Sequence, residues 1–159
     1  MNTQHENNDE PSDGLEEDES IGTSESPSVL RSPNVAKGAS ALVLAMRPEF
    51  AEAILSGLKT AELRRCAPVR LSRGMRLFIW VSGALVGEVR LEGWDLDRSA
   101  DDLAARYWNK SGLCFDDAQA YLEDARRPGV LLVGHPICYA APRPWHGHTI
   151  QNFTYVDEL

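Results

Sequence analysis

The chain has 159 residues, and 24 acidic against 16 basic side chains give it a formal charge of −8. Residues 1–40 hold 9 acids and 2 bases, a net of −7, whereas residues 41–159 hold 15 acids and 14 bases, a net of −1. No run approaches the ~18 apolar residues of a membrane helix, the acidic start is unlike a signal peptide, and three distant cysteines (Cys66, Cys114, Cys138) argue against a disulfide scaffold or a CxxC pair. A cytoplasmic protein with one folded domain and no membrane contact is expected.

Residues 1–40 contain none of the twelve aromatic side chains. With almost no apolar surface to bury, this stretch cannot offset the entropy of ordering its backbone. It is expected to be a disordered acidic tail ending near Ser40. Its acidic centre, Glu16–Glu19, either keeps the chain soluble or binds a protein partner.

From Ala41 the texture changes. Ala41–Met46 (ALVLAM) is a short apolar run that reads as a buried strand. Pro48 suits the first turn of a helix, and Phe50, Ala53 and Ile54 follow at helical spacing until Gly57 ends it. Thr60–Arg64 alternates as a strand, with Ala61 and Leu63 on one side and Thr60, Glu62 and Arg64 on the other. Arg76–Ser82 and Leu85–Glu92 are the clearest strands, joined by a tight turn at Gly83–Ala84. Leu77, Ile79 and Val81 share one face of the first, and Phe78, Trp80 and Ser82 share the other.

A helical insert follows. Ser99-x-x-Asp102 resembles a capping box and opens a helix to about Trp108, which Lys110–Gly112 breaks. A second helix, about Phe115–Ala125, carries Phe115, Ala118, Tyr121 and Leu122 on one stripe. Pro128-Gly129 returns the chain to strand at Val130–Val133, with weaker strand signals at Ile137–Tyr139 and Phe153–Val156. This order is not the alternation of a doubly wound α/β fold. It predicts an α+β domain, a small and mostly antiparallel β-barrel with peripheral helices.

The segment Gly57–Arg64 reads G-x-K-x-x-E-x-R. Gly57 permits a sharp turn after the helix, Lys59 lies where the chain re-enters the sheet, and Glu62 and Arg64 point to one side of a strand. Three groups of mixed charge thus meet at one rim. They can serve acid–base chemistry, form a socket for a polar base or phosphate, or make an ordinary ion pair.

Together with Met46–Ile54, this segment resembles the signature of the ASCH domain, a branch of the PUA-like superfamily. The resemblance continues through Leu77–Gly83, Val86–Glu88, the paired helices and Gln151–Val156. It implies a PUA-like barrel with a cleft beside the motif, an RNA-binding role, and hydrolysis of nucleic acid or modified nucleosides in some branches. It implies no metal and no cofactor. Lys59 matches the motif lysine, with Glu62 and Arg64 beside it. The amidohydrolase branch has a hydroxyl residue three positions after that lysine, where this chain has Glu62. If the domain is an enzyme, Lys59 and Glu62 are the candidate catalytic groups, with Glu88 as a second carboxylate or a structural one.

Between Leu63 and Gly87 there is no acidic residue and there are five arginines: Arg64, Arg65, Arg70, Arg73 and Arg76. Arginine clusters match phosphate in charge and fork geometry. Trp80 offers either a stacking platform for a base or ordinary packing, and Ser82 lies on its face. The expected ligand is therefore RNA or a nucleotide-like molecule. His135, Cys138, His146 and His148 lack the paired spacing of a structural zinc site. No phosphate-binding glycine loop or G-x-S-x-G elbow occurs.

Overall fold

The computed structural model describes residues 41–157. The expected acidic tail and the protein partner read from it lie outside the described residues. Nine elements follow one another: β1 (Ala41–Ala45), α1 (Pro48–Leu55), β2 (Ala61–Arg64), β3 (Arg76–Val81), β4 (Ala84–Asp95), α2 (Ala100–Ser111), α3 (Phe115–Leu122), β5 (Gly129–Pro144) and β6 (Phe153–Val156). The strands form one mixed sheet in the order β2-β5-β4-β3-β1-β6, which curls into a half-barrel. Only β1 and β3 run parallel. Their connection carries α1, β2 and the arginine-rich stretch, long enough for the crossover that a parallel pair needs.

Both faces of the central strands are covered, which explains the continuous apolar run in β1. On one face Leu42 and Leu44 meet Leu77, Ile79, Val89 and Leu91 under Ala51 and Ile54 of α1. On the other, Ala41 and Val43 pack with Phe78, Leu85 and Ile150. Leu103 and Ala104 of α2 and Ala118 and Leu122 of α3 cover Ala61 and Leu63 of β2. Gly87 is required where α1 meets the sheet. A Cβ there would lie 2.5 Å from the Ile137 carbonyl oxygen and 2.5 Å from Leu55.

The structure departs from the sequence expectations in several places, among them α2, which runs to Ser111 rather than about Trp108, and β4, which runs to Asp95 rather than Glu92. The β3–β4 turn is Ser82-Gly83, one residue earlier than expected, with φ of 47° and 99°. Positive φ at both turn residues matches the right-handed twist of the flanking strands. The two strand signals after Pro128 belong to the single strand β5, whose shifts in register against β4 accommodate the interruption. Helix α3 ends at Leu122 rather than near Ala125. Its buried stripe is only Ala118 and Leu122, because Phe115 and Tyr121 are 40% exposed.

The sheet edges β2 and β6 are bridged by side chains. Arg64 donates from Nη1 to the carbonyl oxygens of Ala45 and Asn152, both at 3.2 Å, and to Asn152 Oδ1 at 2.8 Å. Asn152 returns a bond from Nδ2 to the Cys66 carbonyl at 2.9 Å. Further along, the Tyr155 hydroxyl accepts from the backbone N–H groups of Val69 and Arg70. At the other end of the sheet, β5 extends past β2 beside β4. Pro136, Pro142 and Pro144 blunt this exposed portion, since proline cannot donate to an added strand.

Candidate functional site

Helix α1 ends at Leu55, Gly57 beyond it adopts φ 79°, and the Lys59 N–H bonds back to the Ala53 carbonyl. This turn delivers the Lys59 side chain beneath the end of α2. Its Nζ donates to the Ser111 carbonyl and, at 2.9 Å, to the Ala61 carbonyl. The third contact is with Glu62 Oε2 at 3.1 Å. The ammonium therefore caps the negative end of α2 while neutralising the carboxylate. Phe50 lies beside it, with Nζ 5.2 Å from the ring centroid.

Strand alternation places Glu62 and Arg64 on the same side of β2. Glu62 Oε1 lies 2.9 Å from Arg64 Nη2, so one carboxylate bridges the two cations. Lys59, Glu62 and Arg64 are only 4, 8 and 5% exposed. A buried carboxylate with two cationic partners is stable where a single unpaired charge would not be. The Arg64 Nε is buried without a hydrogen-bond partner in the described structure.

This trio forms part of a cleft of about 510 Å³. Phe50 of α1 and Tyr121 of α3 stand along its walls with Met46 and Leu113, and Gln151 and Asn152 supply amides. The exposed Arg47 and Arg65 lie at its rim. Arg65 Nη1 donates to the Tyr121 carbonyl at 2.8 Å, which ties the rim to α3. The Tyr121 phenol is shifted above its ordinary range. Burial is the main cause and the nearby Glu62 charge adds to it, against the opposing effect of the Arg64, Arg65 and Arg47 cations.

The other sequence candidates are elsewhere. Arg70 stacks on Tyr155, 4.1 Å from the ring centroid, outside the cleft lining. Arg73 is exposed in the β2–β3 connection, and Ser82 is exposed in the β3–β4 turn. Arg76 binds Glu88 through two contacts, Nε at 3.2 Å and Nη2 at 2.6 Å. The Tyr139 hydroxyl donates to the same carboxylate at 2.7 Å. The expectation that Glu88 could join Lys59 in one acid–base pair does not fit this arrangement. Alternation along β4 turns Glu88 away from the α1-covered face of Val89 and Leu91 and toward Phe78 and Tyr139. The arginines therefore do not form one patch continuous with the cleft.

Burial pushes the Glu88 carboxyl up. Hydrogen bonds from Arg76 and Tyr139 and the charges of Arg76 and Arg90 outweigh it, so the group ends below the ordinary carboxylate range. Tyr139 is pushed up to about 12 by burial first and then by its bond to Glu88. Trp80 packs against the cluster of Ala41, Val43, Phe78, Leu85 and Ile150 rather than in the cleft, and its indole Nε1 is buried without a partner in the described structure.

Several cleft residues were not candidates from sequence, among them Phe50, Tyr121, Arg47 and Asn152. Phe50 and Tyr121 each looked like a packing position on a helix, and Arg47 and Asn152 stood only as members of segments that carry the family resemblance, with no role of their own. Only helix placement and the meeting of the sheet edges bring them together.

No protein-family model matches the chain, and no curated protein matches it. Solved structures do. The crystal structure of ASCH from Zymomonas mobilis is 24% identical, with a TM-score of 0.64 over 74% of this chain and 88% of that one. A serine-to-alanine variant of that protein is also 24% identical, with a TM-score of 0.62 over 75% and 89%. A tyrosine-to-phenylalanine variant at the same identity gives 0.60 over 74% and 90%. At this identity the likeness concerns the fold, and the fold of this chain is that of the ASCH domain.

Proposed function

We propose that the domain is an RNA-binding module whose cleft receives a single unpaired nucleotide. The observation that carries this reading is the cleft itself: about 510 Å³, with aromatic walls at Phe50 and Tyr121 and exposed guanidinium groups at Arg47 and Arg65. That volume lies within the range of small-molecule sites. Aromatic faces accept a base without regard to sequence, and arginine forks suit the flanking phosphates. Lys59 and Arg64 hold the floor, because most of their donors are engaged by protein acceptors.

The test is fluorescence anisotropy of the full chain with labelled single-stranded RNA across a salt series. Arg47→Ala with Arg65→Ala should weaken binding at least about tenfold and reduce the salt slope by about 2. Unchanged affinity and slope would remove the cleft from RNA recognition. A second reading, hydrolysis of RNA or a modified nucleoside, is favoured by Glu62, which lines the cleft with Lys59 Nζ 3.1 Å away. Lys59→Arg keeps the charge but replaces the amine. Turnover lost with binding retained would support catalysis, and the absence of product with the parent chain would exclude it for the substrates tried.

A further inference from the structure

A second pocket, of about 350 Å³, shares no lining residue with the cleft. Tyr139 and Trp145 give it aromatic walls over the buried Phe78, and Arg143 and His146 stand at its edge. We propose that this pocket binds a nucleotide, taking the planar base among the aromatic rings and the phosphate on Arg143.

The arrangement has two properties that such a ligand needs. First, the aromatic walls are set in advance. Tyr139 is fixed by its 2.7 Å bond to the buried Glu88, which Arg76 holds in turn. Trp145 is fixed by its indole N–H donating to the His148 carbonyl at 2.7 Å. Gly147 lies so close beneath that ring that a Cβ would sit 2.5 Å from it. Walls locked by a second layer of contacts lose little freedom on binding.

Second, both guanidinium groups lie over aromatic rings, and while Arg76 also spends its N–H edge on Glu88, Arg143 does not. The Arg143 guanidinium lies 3.9 Å from the Tyr139 ring centroid and that of Arg76 lies 4.6 Å from Phe78. A stacked guanidinium keeps its N–H edge directed outward. Arg143 is also exposed, so its edge can meet a phosphate, and the planes of base, ring and guanidinium can stack. The carboxylate that anchors Tyr139, Glu88, is matched by Arg76, and Arg143 makes no ion pair among the described residues.

The shared chemistry is a base bearing a phosphate, either as a free nucleotide or within an RNA strand. NMR titration of the full chain separates the sources, with adenosine 5′-monophosphate, adenosine and a short oligoadenylate as probes. The Trp145 indole N–H and the His146 ring report the pocket, and the Asn152 side-chain amide and Tyr121 report the cleft. Adenosine 5′-monophosphate should move the pocket signals saturably, and Arg143→Glu should weaken this by about tenfold or more, as loss of a charge-assisted contact implies. Movement by oligoadenylate alone, with the same sensitivity to Arg143→Glu, would support the site and assign it to a strand. Pocket signals unmoved by any probe, unchanged by Arg143→Glu, or equally sensitive to adenosine would overturn the proposal. Because the two sets of signals are separate, cleft movement without pocket movement would refute this site alone. Pocket movement without cleft movement would refute only the cleft reading.

Discussion

Two buried carboxylates organise the described residues, and they differ in what surrounds them. Glu62 is held by Lys59 and Arg64, all three from one stretch of eight residues at the edge of the sheet. Glu88 is held by Arg76 and Tyr139, which come from the two strands flanking β4. The first sits where the sheet edges fail to pair, so its cations also bind backbone carbonyls from β1, α2 and the segment before β6. The second sits between two paired strands, beside a register shift of β4 against β5 at Glu88–Arg90, and is held by side chains from both neighbours. The same chemistry therefore bridges a seam and lines a cleft in one place, and orients an aromatic wall in the other.

That difference predicts unequal costs. Arg64→Ala removes the bridge between β2, β1 and Asn152 and leaves Glu62 with one cation. It should destabilise the domain by about 3–5 kcal/mol in urea unfolding, as for other broken buried pairs. A loss below about 1 kcal/mol would mean that backbone pairing alone holds the seam.

Glu88→Gln should cost less, about 1–3 kcal/mol near neutral pH, because Arg76 is partly exposed and can turn to water. The folded Glu88 holds its charge to lower pH than an ordinary carboxyl. Its contribution is therefore complete above the ordinary value of 4.5 and is lost as pH falls through the lower folded value. Stability curves of parent and variant should converge in acid, and curves that stay parallel would assign the cost to something other than this charge.

Tyr139→Phe removes one hydrogen bond and should cost about 1 kcal/mol. The folded phenol stays protonated up to about 12, so its contribution is complete below the ordinary value of 10.0 and fades as pH rises toward about 12. Thermal unfolding at pH 7 and in alkali checks both halves.

The smallest effect on stability is expected for Arg47→Ala with Arg65→Ala, within about 0.5 kcal/mol, since both side chains are exposed. The same variant should show the largest loss of RNA affinity of the four. A large stability loss would place these arginines in the fold and weaken their reading as ligand contacts.

Much of this molecule is written locally. The apolar run of β1, the Pro48 start of α1, the Ser99 cap of α2 and the alternation of β3 are each set by a few adjacent residues, and each is found in the structure. Local rules also placed Lys59, Glu62 and Arg64 together, because a glycine turn and a two-residue strand period act over eight residues. Distant residues escaped them. Tyr121 has the spacing of a packing position, and only the docking of α3 on β2 turns it to the cleft wall. Glu88 and Arg76 are twelve residues apart in sequence but meet across the β3–β4 ladder. Which face of β4 carries Glu88, and so its separation from Lys59, depends on strand register and on the closeness of α1 at Gly87. Side-chain period and turn chemistry are short-range properties of the chain. The cleft, the seam and the second aromatic pocket exist only because non-local packing brings separate elements together.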